Sequence, residues 1–267
     1  MNQKTIVVIL LLGFLFSPNN VNSKRDEHVD SCSFYLATWN VGHFDYGVRK
    51  FPELRNLKTT ELIKRYQVFL QDSISSDVLC LNEYSDGRNV FKKKNSANGM
   101  ISRIYKTNKV YDKFGAICNC VASKLELKNI SKNNFKSSKF SAHRIQRSEK
   151  FYYISSDLYI KGNKIKLICT HLDYLTPKLL QEQIEELIAT FKDDDKVIMC
   201  GDWNTMTYHR FRKAGYTLAN DGTIVTYPKK KYALDNIVVK GVKISEVRAI
   251  KTNLSDHYPL VCKITIE

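Results

Sequence analysis

The sequence has no run of about 20 consecutive apolar residues, the length that a helix needs to cross a bilayer. Its most apolar segment, Ile6–Phe16, is shorter than this; it follows the basic residue Lys4 and precedes the small-residue sequence Val21-Asn22-Ser23. A short apolar run between a basic start and such a cleavage site is typical of a secretory signal peptide. We therefore expect residues 1–23 to be removed, which leaves a secreted or periplasmic protein without a transmembrane helix.

The sequence also lacks a zinc site, because it has no Cys-x-x-Cys pair and no cluster of Cys and His at ligand spacing. It has 7 cysteines, and an odd number leaves at least one free thiol even where export permits disulfides. Cys80, Cys169 and Cys200 each lie in an apolar run, where cysteine acts as a small hydrophobic core residue.

Acidic residues are scarce relative to basic ones, since 27 Asp and Glu stand against 42 Lys and Arg and the formal net charge is +15. This excess is typical of proteins with anionic partners, such as nucleic acid, an anionic membrane surface or a polyanionic substrate, although a Lys-rich soluble protein shows it too. Three basic stretches adjoin candidate site motifs, so we expect them to rim a cleft, with ordinary solvated loops as the alternative. They are Lys92–Lys94, residues 124–150 and Lys229–Lys231.

No repeat, low-complexity tract or Gly/Pro/Ser-rich linker divides the rest of the chain, and a hydrophobic fraction of 43% suits one packed core. We expect residues 24–33 to be a short linker and residues 34–267 to form a single domain. Four short apolar runs have the character of buried strands, and each ends in a polar cluster. These runs are Phe34–Thr38, Val78–Leu81, Ile165–Cys169 and Val197–Cys200.

Helical patterns alternate with the strands, over residues near 52–74, 176–191 and 208–214. Two further apolar runs, 151–160 and 164–170, predict an antiparallel hairpin that turns at Gly162-Asn163. Strands that alternate with helices, together with a hairpin, indicate an α/β fold with mixed sheets.

Polar side chains follow the four predicted strands. Asn40 and Glu83 come after the first two, His171 follows the third, and Asp202 with Asn204 follows the fourth. Each has an ordinary explanation when taken alone, as a turn former, a solvated charge or a structural histidine. Because open α/β sheets place ligands at the carboxyl ends of their strands, the whole set predicts an active site there.

This inventory suits phosphoester hydrolysis. Glu83 and Asp256 supply the carboxylate oxygens that Mg²⁺ prefers, and Asn40 can position a water. Asp202 is a candidate base for the attacking water, and Asn204 is a neutral donor beside it.

The negative charge that develops in the transition state needs donors, and His171 and His257 can supply them. A histidine used in this way needs a carboxylate partner, and Asp235 is the candidate partner of His257.

Six motifs in this order resemble the endonuclease/exonuclease/phosphatase superfamily, which includes deoxyribonuclease-I-like enzymes. The resemblance runs from about residue 34 to the C-terminus, and Trp203 and Asn82 stand where phenylalanine and glutamine are commoner. The motifs are Thr38-Trp39-Asn40, Leu81-Asn82-Glu83, Thr170-His171-Leu172, Gly201-Asp202-Trp203-Asn204, Leu234-Asp235-Asn236-Ile237 and Ser255-Asp256-His257-Tyr258-Pro259.

The resemblance implies a four-layer sandwich, in which two stacked mixed β-sheets are flanked by helices. It implies one Mg²⁺, or Mn²⁺, held chiefly by Glu83 with Asn40 and Asp256 nearby. His171 and His257 would contact the scissile phosphate, with Asp235 orienting His257.

The resemblance also implies roles for Asp202, Asn204 and Asn119. Asp202 and Asn204 would activate or orient the water, and Asn204 would also contact the substrate. Asn119, in a segment similar to a family motif, is a further candidate for substrate binding.

We therefore expect a monomeric, exported, Mg²⁺-dependent phosphodiesterase that acts on nucleic acid. The alternative is a phospholipid hydrolase of the sphingomyelinase type or a sugar-phosphate phosphatase, which would share the same catalytic residues. No loop is rich in Trp and Phe, as membrane insertion by a sphingomyelinase would need. A non-catalytic binding module is disfavoured because no catalytic residue of the family pattern is lost.

Overall fold

The computed structural model of the protein describes residues 32–84, 96–111, 118–137, 151–174 and 176–266. The predicted signal peptide, Lys92–Lys94 and the later part of the basic stretch 124–150 lie outside the described residues. The predicted apolar runs become strands, and the first strand begins at Cys32, inside the segment expected to be a linker. The strands are β1 Cys32–Asn40, β2 Val78–Asn82, β3 Thr107–Tyr111, β4 Asn119–Ser123, β5 Glu126–Asn134, β6 Tyr152–Ile160, β7 Asn163–His171, β8 Val197–Asp202, β9 Thr217–Leu218, β10 Asp235–Lys240, β11 Lys243–Ala249 and β12 Leu260–Ile266.

These strands form two six-stranded sheets. The first sheet has the order β11-β12-β1-β2-β4-β3, and the second has the order β5-β6-β7-β8-β10-β9. Each sheet contains one parallel pair among antiparallel neighbours, β1 with β2 in the first and β7 with β8 in the second. Parallel strands end at the same edge of a sheet, so Asn40 lies opposite Asn82 and His171 lies opposite Asp202.

The helices lie outside the sheets. In the described part of the chain, none of them combines the length and the apolar character that a membrane span requires. The α-helices are α1 Tyr46–Lys50, α2 Pro52–Arg55, α3 Thr59–Val68, α4 Ser96–Ser102, α5 Pro177–Thr190 and α6 His209–Lys213, with a 3₁₀ turn at Gly42–Phe44 and a π-helical turn at Phe69–Ile74.

Three apolar cores separate the layers. The central core fills the space between the two sheets, and the outer cores pack the first sheet against α3 and α4 and the second sheet against α5 and α6. Helix, sheet, sheet and helix therefore follow one another, which confirms the predicted four-layer sandwich. The burial of continuous apolar strands between two covered faces explains why β2 and β8 read as uninterrupted apolar runs.

Some local predictions differ from the structure. The helix predicted over 52–74 is divided into α2 and α3, because residues 56–58 leave the helical pattern. The hairpin turns at Lys161 and Gly162, one position earlier than predicted, and both have positive φ (45° and 82°) as the tight two-residue turn requires. Thr176 occupies the N-cap position of α5, but its side chain makes no capping hydrogen bond.

All seven cysteines lie in the described residues, and no disulfide joins them there. Six of them are buried, and only Cys32 is partly exposed. Burial raises the pKa of the Cys80 and Cys169 thiols well above the ordinary value and raises that of Cys262 to about 12. The thiols therefore serve as small core side chains, as their apolar flanks predict.

Candidate active site

The candidate site lies where the parallel pairs of the two sheets end, and Asp202 is at its centre. The Asn40 amide nitrogen donates to Asp202 Oδ2 at 3.0 Å. The Nε2 atoms of His171 and His257 lie 3.6 Å and 3.8 Å from the same oxygen. Three residues predicted from the sequence therefore converge on the carboxylate of Asp202, which is almost fully buried.

His257 and Asp235 form a buried pair, with Nδ1 of the histidine 2.7 Å from Asp235 Oδ2. Burial lowers the pKa of His257, but the carboxylates of Asp235 and Asp202 outweigh this effect and raise the pKa to about 10. Burial raises the pKa of Asp235, and the charge on His257 opposes that rise. The geometry is that of an imidazolium held in one orientation by a carboxylate, as predicted for this pair.

Backbone anchors hold this pair in place. The Trp39 indole nitrogen donates to the carbonyl oxygen of His257 at 3.0 Å, and the Trp203 indole donates to Asn236 O at 3.0 Å, beside Asp235. The tryptophan at position 203 therefore has a hydrogen-bonding role that phenylalanine could not fill. Both indoles are fully buried, so they also fill the cores beneath the site.

Glu83 and Asp256 form the more open side of the site. Asn40 Nδ2 donates to Glu83 Oε1 at 3.1 Å, and His43 Nε2 lies 3.4 Å from Glu83 Oε2. The side-chain oxygen Oδ1 of Asn40 accepts from the Gly42 N–H at 3.0 Å. A Cβ added to Gly42 would lie 3.2 Å from Asp256 Oδ1, so Asp256 stands directly over this turn.

The donor chemistry of Glu83 and Asp256 fits a hard divalent cation, since both offer carboxylate oxygens and neither is fully buried. Asn40 touches both Glu83 and Asp202 through its amide nitrogen, so here it links the two carboxylates. Its role as a metal ligand stays a prediction.

A second group could also hold an ion, because ligand atoms of Asp202, Asp235 and His257 lie within 4.8 Å of one another. The close contact of His257 with Asp235 already occupies one nitrogen of that group, and Glu83 stays the predicted chief ligand of the metal. A positive charge on the imidazole would also repel a cation there.

Asn204 closes the turn after β8. Its backbone N–H donates to Asp202 Oδ1 at 3.0 Å and its side-chain amide donates to Leu172 O at 3.0 Å. The residue has positive φ (49°), which asparagine tolerates better than most residues. One oxygen of Asp202 therefore secures the turn, and the other faces Asn40 and the two histidines.

His171 is buried, and its Nδ1 atom has no hydrogen-bond partner among the described residues. An unpaired buried polar atom costs about 1–3 kcal/mol. A substrate oxygen or a water that bound there would recover this energy, so the histidine is suited to contact a ligand.

The structure does not bring Asn119 to the surface of the cleft, in contrast to its predicted contact with substrate. Asn119 is fully buried; it accepts from Asn82 at 2.8 Å and donates to Tyr152 O at 3.2 Å. Its amide is committed to these partners because β4 lies beside β2, one strand behind the site.

Asn82 is a functional residue whose role the sequence did not reveal. Its amide nitrogen donates to Thr170 O at 2.9 Å, and its oxygen accepts from the Asp202 N–H at 2.9 Å. Both partners belong to the opposite sheet, so this side chain fixes the backbone of Asp202 across the sandwich. Gly201 leaves the necessary space, since a Cβ there would lie 1.8 Å from Thr170 O.

Tyr227 is another residue that the motifs do not include. Its ring packs on the His257 ring, with centroids 4.8 Å apart. Burial and the carboxylates of Asp256, Asp202 and Glu83 raise the pKa of Tyr227, so its hydroxyl lies in the negative field of the site. Only its position, next to the basic run Lys229–Lys231, could have drawn attention to it.

A four-layer sandwich with carboxylates and histidines at the ends of its strands is an arrangement suited to phosphoester hydrolysis. The sequence profile of the Endonuclease/Exonuclease/phosphatase family matches residues 37–257, most of the chain. The chain therefore belongs to this family, as the motifs predicted. Enzymes of the family generally depend on a divalent metal.

Solved structures of low sequence identity share the fold. An endonuclease/exonuclease/phosphatase from Bacteroides vulgatus has a TM-score of 0.67 at 15% identity, over 88% of this chain and 99% of that one. TDP2 of D. rerio, complexed with single strand DNA product, has a TM-score of 0.63 at 14% identity, over 87% of this chain and 98% of that one. The human Nocturnin catalytic domain with bound sulfate anion has a TM-score of 0.61 at 18% identity, over 87% and 93%.

The chain also resembles a curated bacterial protein over a limited region. A UPF0294 protein of Vibrio vulnificus (strain YJ016) is 32% identical over 95 residues, which is 32% of this chain. The match spans 34% of that protein's length, and a UPF0294 protein of a second strain, CMCP6, gives the same values.

Proposed function

We propose that this phosphoesterase is an exported, Mg²⁺-dependent phosphodiesterase that cleaves nucleic acid as a monomer. The observation that carries the proposal is the convergence of Asn40, His171 and His257 on the Asp202 carboxylate, with Glu83 and Asp256 beside them. Hydrolysis needs a base, charge-stabilising donors and a cation site, and these residues offer all three.

In the proposed reaction, Asp202 accepts the proton of a water as the water oxygen attacks phosphorus. The P–O bond to the leaving group breaks, and the leaving alkoxide takes a proton from solvent. His257, oriented by Asp235, and His171 donate to the phosphoryl oxygens, where negative charge grows. A cation held by Glu83 and Asp256 would supply further positive charge to the phosphoryl group. Asn40 contacts both Glu83 and Asp202 and so fixes the base relative to the cation site.

Three observations support nucleic acid as the substrate. The net charge of +15 favours polyanions, and the lysine run Lys229–Lys231 begins two residues after Tyr227, which packs on His257. TDP2 of D. rerio, which has the same fold, was crystallised with a single strand DNA product. Polyanion binding releases counterions, so affinity should fall steeply with salt.

Purified protein without residues 1–23 should be assayed on supercoiled plasmid, RNA, sphingomyelin vesicles and inositol phosphates. We expect cleavage of plasmid or RNA that stops with a chelator and returns with Mg²⁺ or Mn²⁺. Full activity in a chelator, or restoration by Zn²⁺ alone, would refute the metal assignment. Hydrolysis of only the vesicles or the inositol phosphates would favour the phospholipase or sugar-phosphatase alternative.

Export is supported by the sequence of residues 1–23, which lie outside the described part of the structure. N-terminal sequencing of protein from the extracellular or periplasmic fraction should give a start near Lys24. Intact Met1 in a cytosolic pool would contradict export.

A further inference from the structure

A cavity of about 400 Å³ opens beside the candidate active site. This volume falls within the range of about 300–1,000 Å³ found for small-molecule sites. Its walls include the side chains of Ile224, Pro228 and Tyr258 together with Lys231 and Lys251. None of the described residues that line it is acidic. Apolar walls with two cations suit a ligand that has both a flat apolar part and a negative charge.

Two residues of the cavity wall are direct chain neighbours of residues at the active site. Tyr258, in the cavity wall, follows His257, and Pro228, also in the wall, follows Tyr227. Tyr227 and His257 pack on each other on the side of the site, with ring centroids 4.8 Å apart. Consecutive Cα atoms are about 3.8 Å apart, so the cavity wall and the segment that bears His257 adjoin each other.

Lys231 belongs to a hairpin between Tyr227 and Tyr232, and backbone hydrogen bonds hold this hairpin in place. Tyr227 N donates to Tyr232 O at 2.8 Å, and Tyr232 N donates to Tyr227 O at 3.1 Å. The Lys231 N–H donates to Pro228 O at 3.2 Å, which closes the tip. Thr226 O accepts from the Tyr258 N–H at 2.7 Å, so the hairpin is also tied to the segment that bears His257.

Lys251 comes from a different part of the chain. It follows Ala249, the last residue of β11, and Ile250 N donates to Pro259 O at 3.0 Å beside Tyr258. The two cavity lysines are thus brought together by the ends of two separate segments. Both are exposed, and charges on either side of an apolar floor favour an anion that lies across it.

We propose that this cavity is a nucleotide subsite that binds the residue flanking the scissile phosphate. The flanking base or sugar lies against Tyr258 and Pro228, and the next phosphate lies between Lys231 and Lys251. The inference rests on the proposed function, because it takes the scissile phosphate to lie at His257. It adds that the enzyme selects a polymer of nucleotides over a diester with no flanking phosphate.

Binding can be measured without turnover, by calorimetry in a chelator at low salt, with thymidine 5′-monophosphate and thymidine 3′,5′-bisphosphate as probes. We expect the bisphosphate to bind about tenfold more tightly than the monophosphate, from two exposed charge pairs. The double variant Lys231→Ser/Lys251→Ser should reduce this ratio to less than about threefold.

Two further variants separate the roles of charge and surface. Lys64→Ser/Lys106→Ser removes the same charge from exposed positions that do not line the cavity and should keep the tenfold ratio. Tyr258→Leu should weaken both probes by at least about fivefold through loss of stacking, whereas Tyr258→Phe should retain binding. Circular dichroism should show that each variant is folded.

The proposal is overturned if the wild type binds both probes equally, or if the Lys64/Lys106 variant loses as much as the cavity variant. Cleavage of plasmid and RNA is scored separately. If the protein cuts nucleic acid but its cavity variant binds both probes like the wild type, the proposed function stands and the subsite is refuted. A protein that shows lysine-dependent binding but cuts no nucleic acid keeps the subsite and loses the proposed function.

Discussion

The candidate site has two halves, which differ in how firmly contacts within the protein hold their side chains. Asp202, Asp235 and His257 are buried and hold one another through short contacts backed by two tryptophan indoles. Glu83 is partly open, with 30% of its side chain exposed, and its neighbour Asp256 is also only half buried. The half formed by Asp202, Asp235 and His257 is therefore preorganised. The half formed by Glu83 and Asp256 leaves room for a cation and substrate.

The comparison predicts that damage to the buried half slows chemistry most. His257→Ala should lower kcat by about 10²–10³ with little change in fold, since it removes one donor to the developing charge. Asp235→Asn should reproduce part of this loss. Steady-state kinetics on a small chromogenic phosphodiester would measure both.

A double variant sharpens that test. If His257 and Asp235 act as a unit, changing both should cost far less than the product of the single losses. Losses of activity that multiply in the double variant, or wild-type activity in Asp235→Asn, would contradict the pairing of His257 with Asp235. His209→Ala, at an exposed position on α6, is the matched control and should be silent.

The open half predicts an effect on metal rather than on chemistry. Glu83→Gln should raise the Mg²⁺ concentration needed for half-maximal activity by at least about tenfold, because it removes a charged ligand. Activity at saturating Mg²⁺ should recover much of the loss. Metal titration of turnover measures this, with the exposed Glu126→Gln as control. An unchanged titration curve would move the metal to the Asp202, Asp235 and His257 group.

Asn82, whose side chain joins the two sheets behind the site, should give a smaller loss of activity when it is substituted. Asn82→Ala removes the bonds to Thr170 O and the Asp202 N–H, so it should lower kcat about tenfold and cost about 1–3 kcal/mol of stability. KM should change little, because the side chain is buried behind the site. Asn82→Gln, the commoner residue of the family pattern, should restore most of kcat. Equal loss in Ala and Gln variants would contradict a role based on hydrogen bonding.

A buried carboxylate away from the site gives the smallest effect and tests whether burial alone implies function. Burial raises the pKa of Asp157, but Lys166, Asn129 and Lys164 outweigh it and lower the pKa below the ordinary value. The resulting stability is present above the unfolded pKa of about 3.9 and is lost as the pH falls through the folded value.

Asp157→Asn should therefore reduce the free energy of unfolding by about 1–2 kcal/mol at pH 7 and by much less near pH 3. Urea denaturation at both pH values measures this, with the exposed Asp193→Asn as control. Catalytic activity at pH 7 should not change. A loss of stability that is equal at both pH values would contradict the ionic origin of the effect.

The sequence predicted the strand ends well because a buried strand leaves a continuous apolar signal and the polar residue that follows it stands out. Asn40, Glu83, His171 and Asp202 all came from this pattern, and the structure brings them together. Asp235, Asp256 and His257 lie outside the parallel pairs and have no periodic signal of their own; the needs of phosphoester hydrolysis suggested them, and the family motifs include them.

Contacts between the sheets could not be predicted in the same way. The bond from Asn82 to Asp202 joins residues that are far apart in the chain, and no local pattern shows which amide faces the other sheet. The burial of Asn119 could not be predicted for the same reason, since its contacts with Asn82 and Tyr152 depend on strand order, and its contact with substrate stays a prediction. The break between α2 and α3 reflects tertiary packing that overrides a helical pattern.

The difference in exposure among the cysteines provides a way to detect unfolding of the protein. One cysteine, Cys32, is partly accessible, and the other six are buried as thiols whose pKa values, where shifted, lie above the ordinary value. A thiol-reactive dye should therefore label one site quickly and six only when the sandwich separates. The slow phase would follow the population of the opened state, so its dependence on urea would report global unfolding without any introduced label.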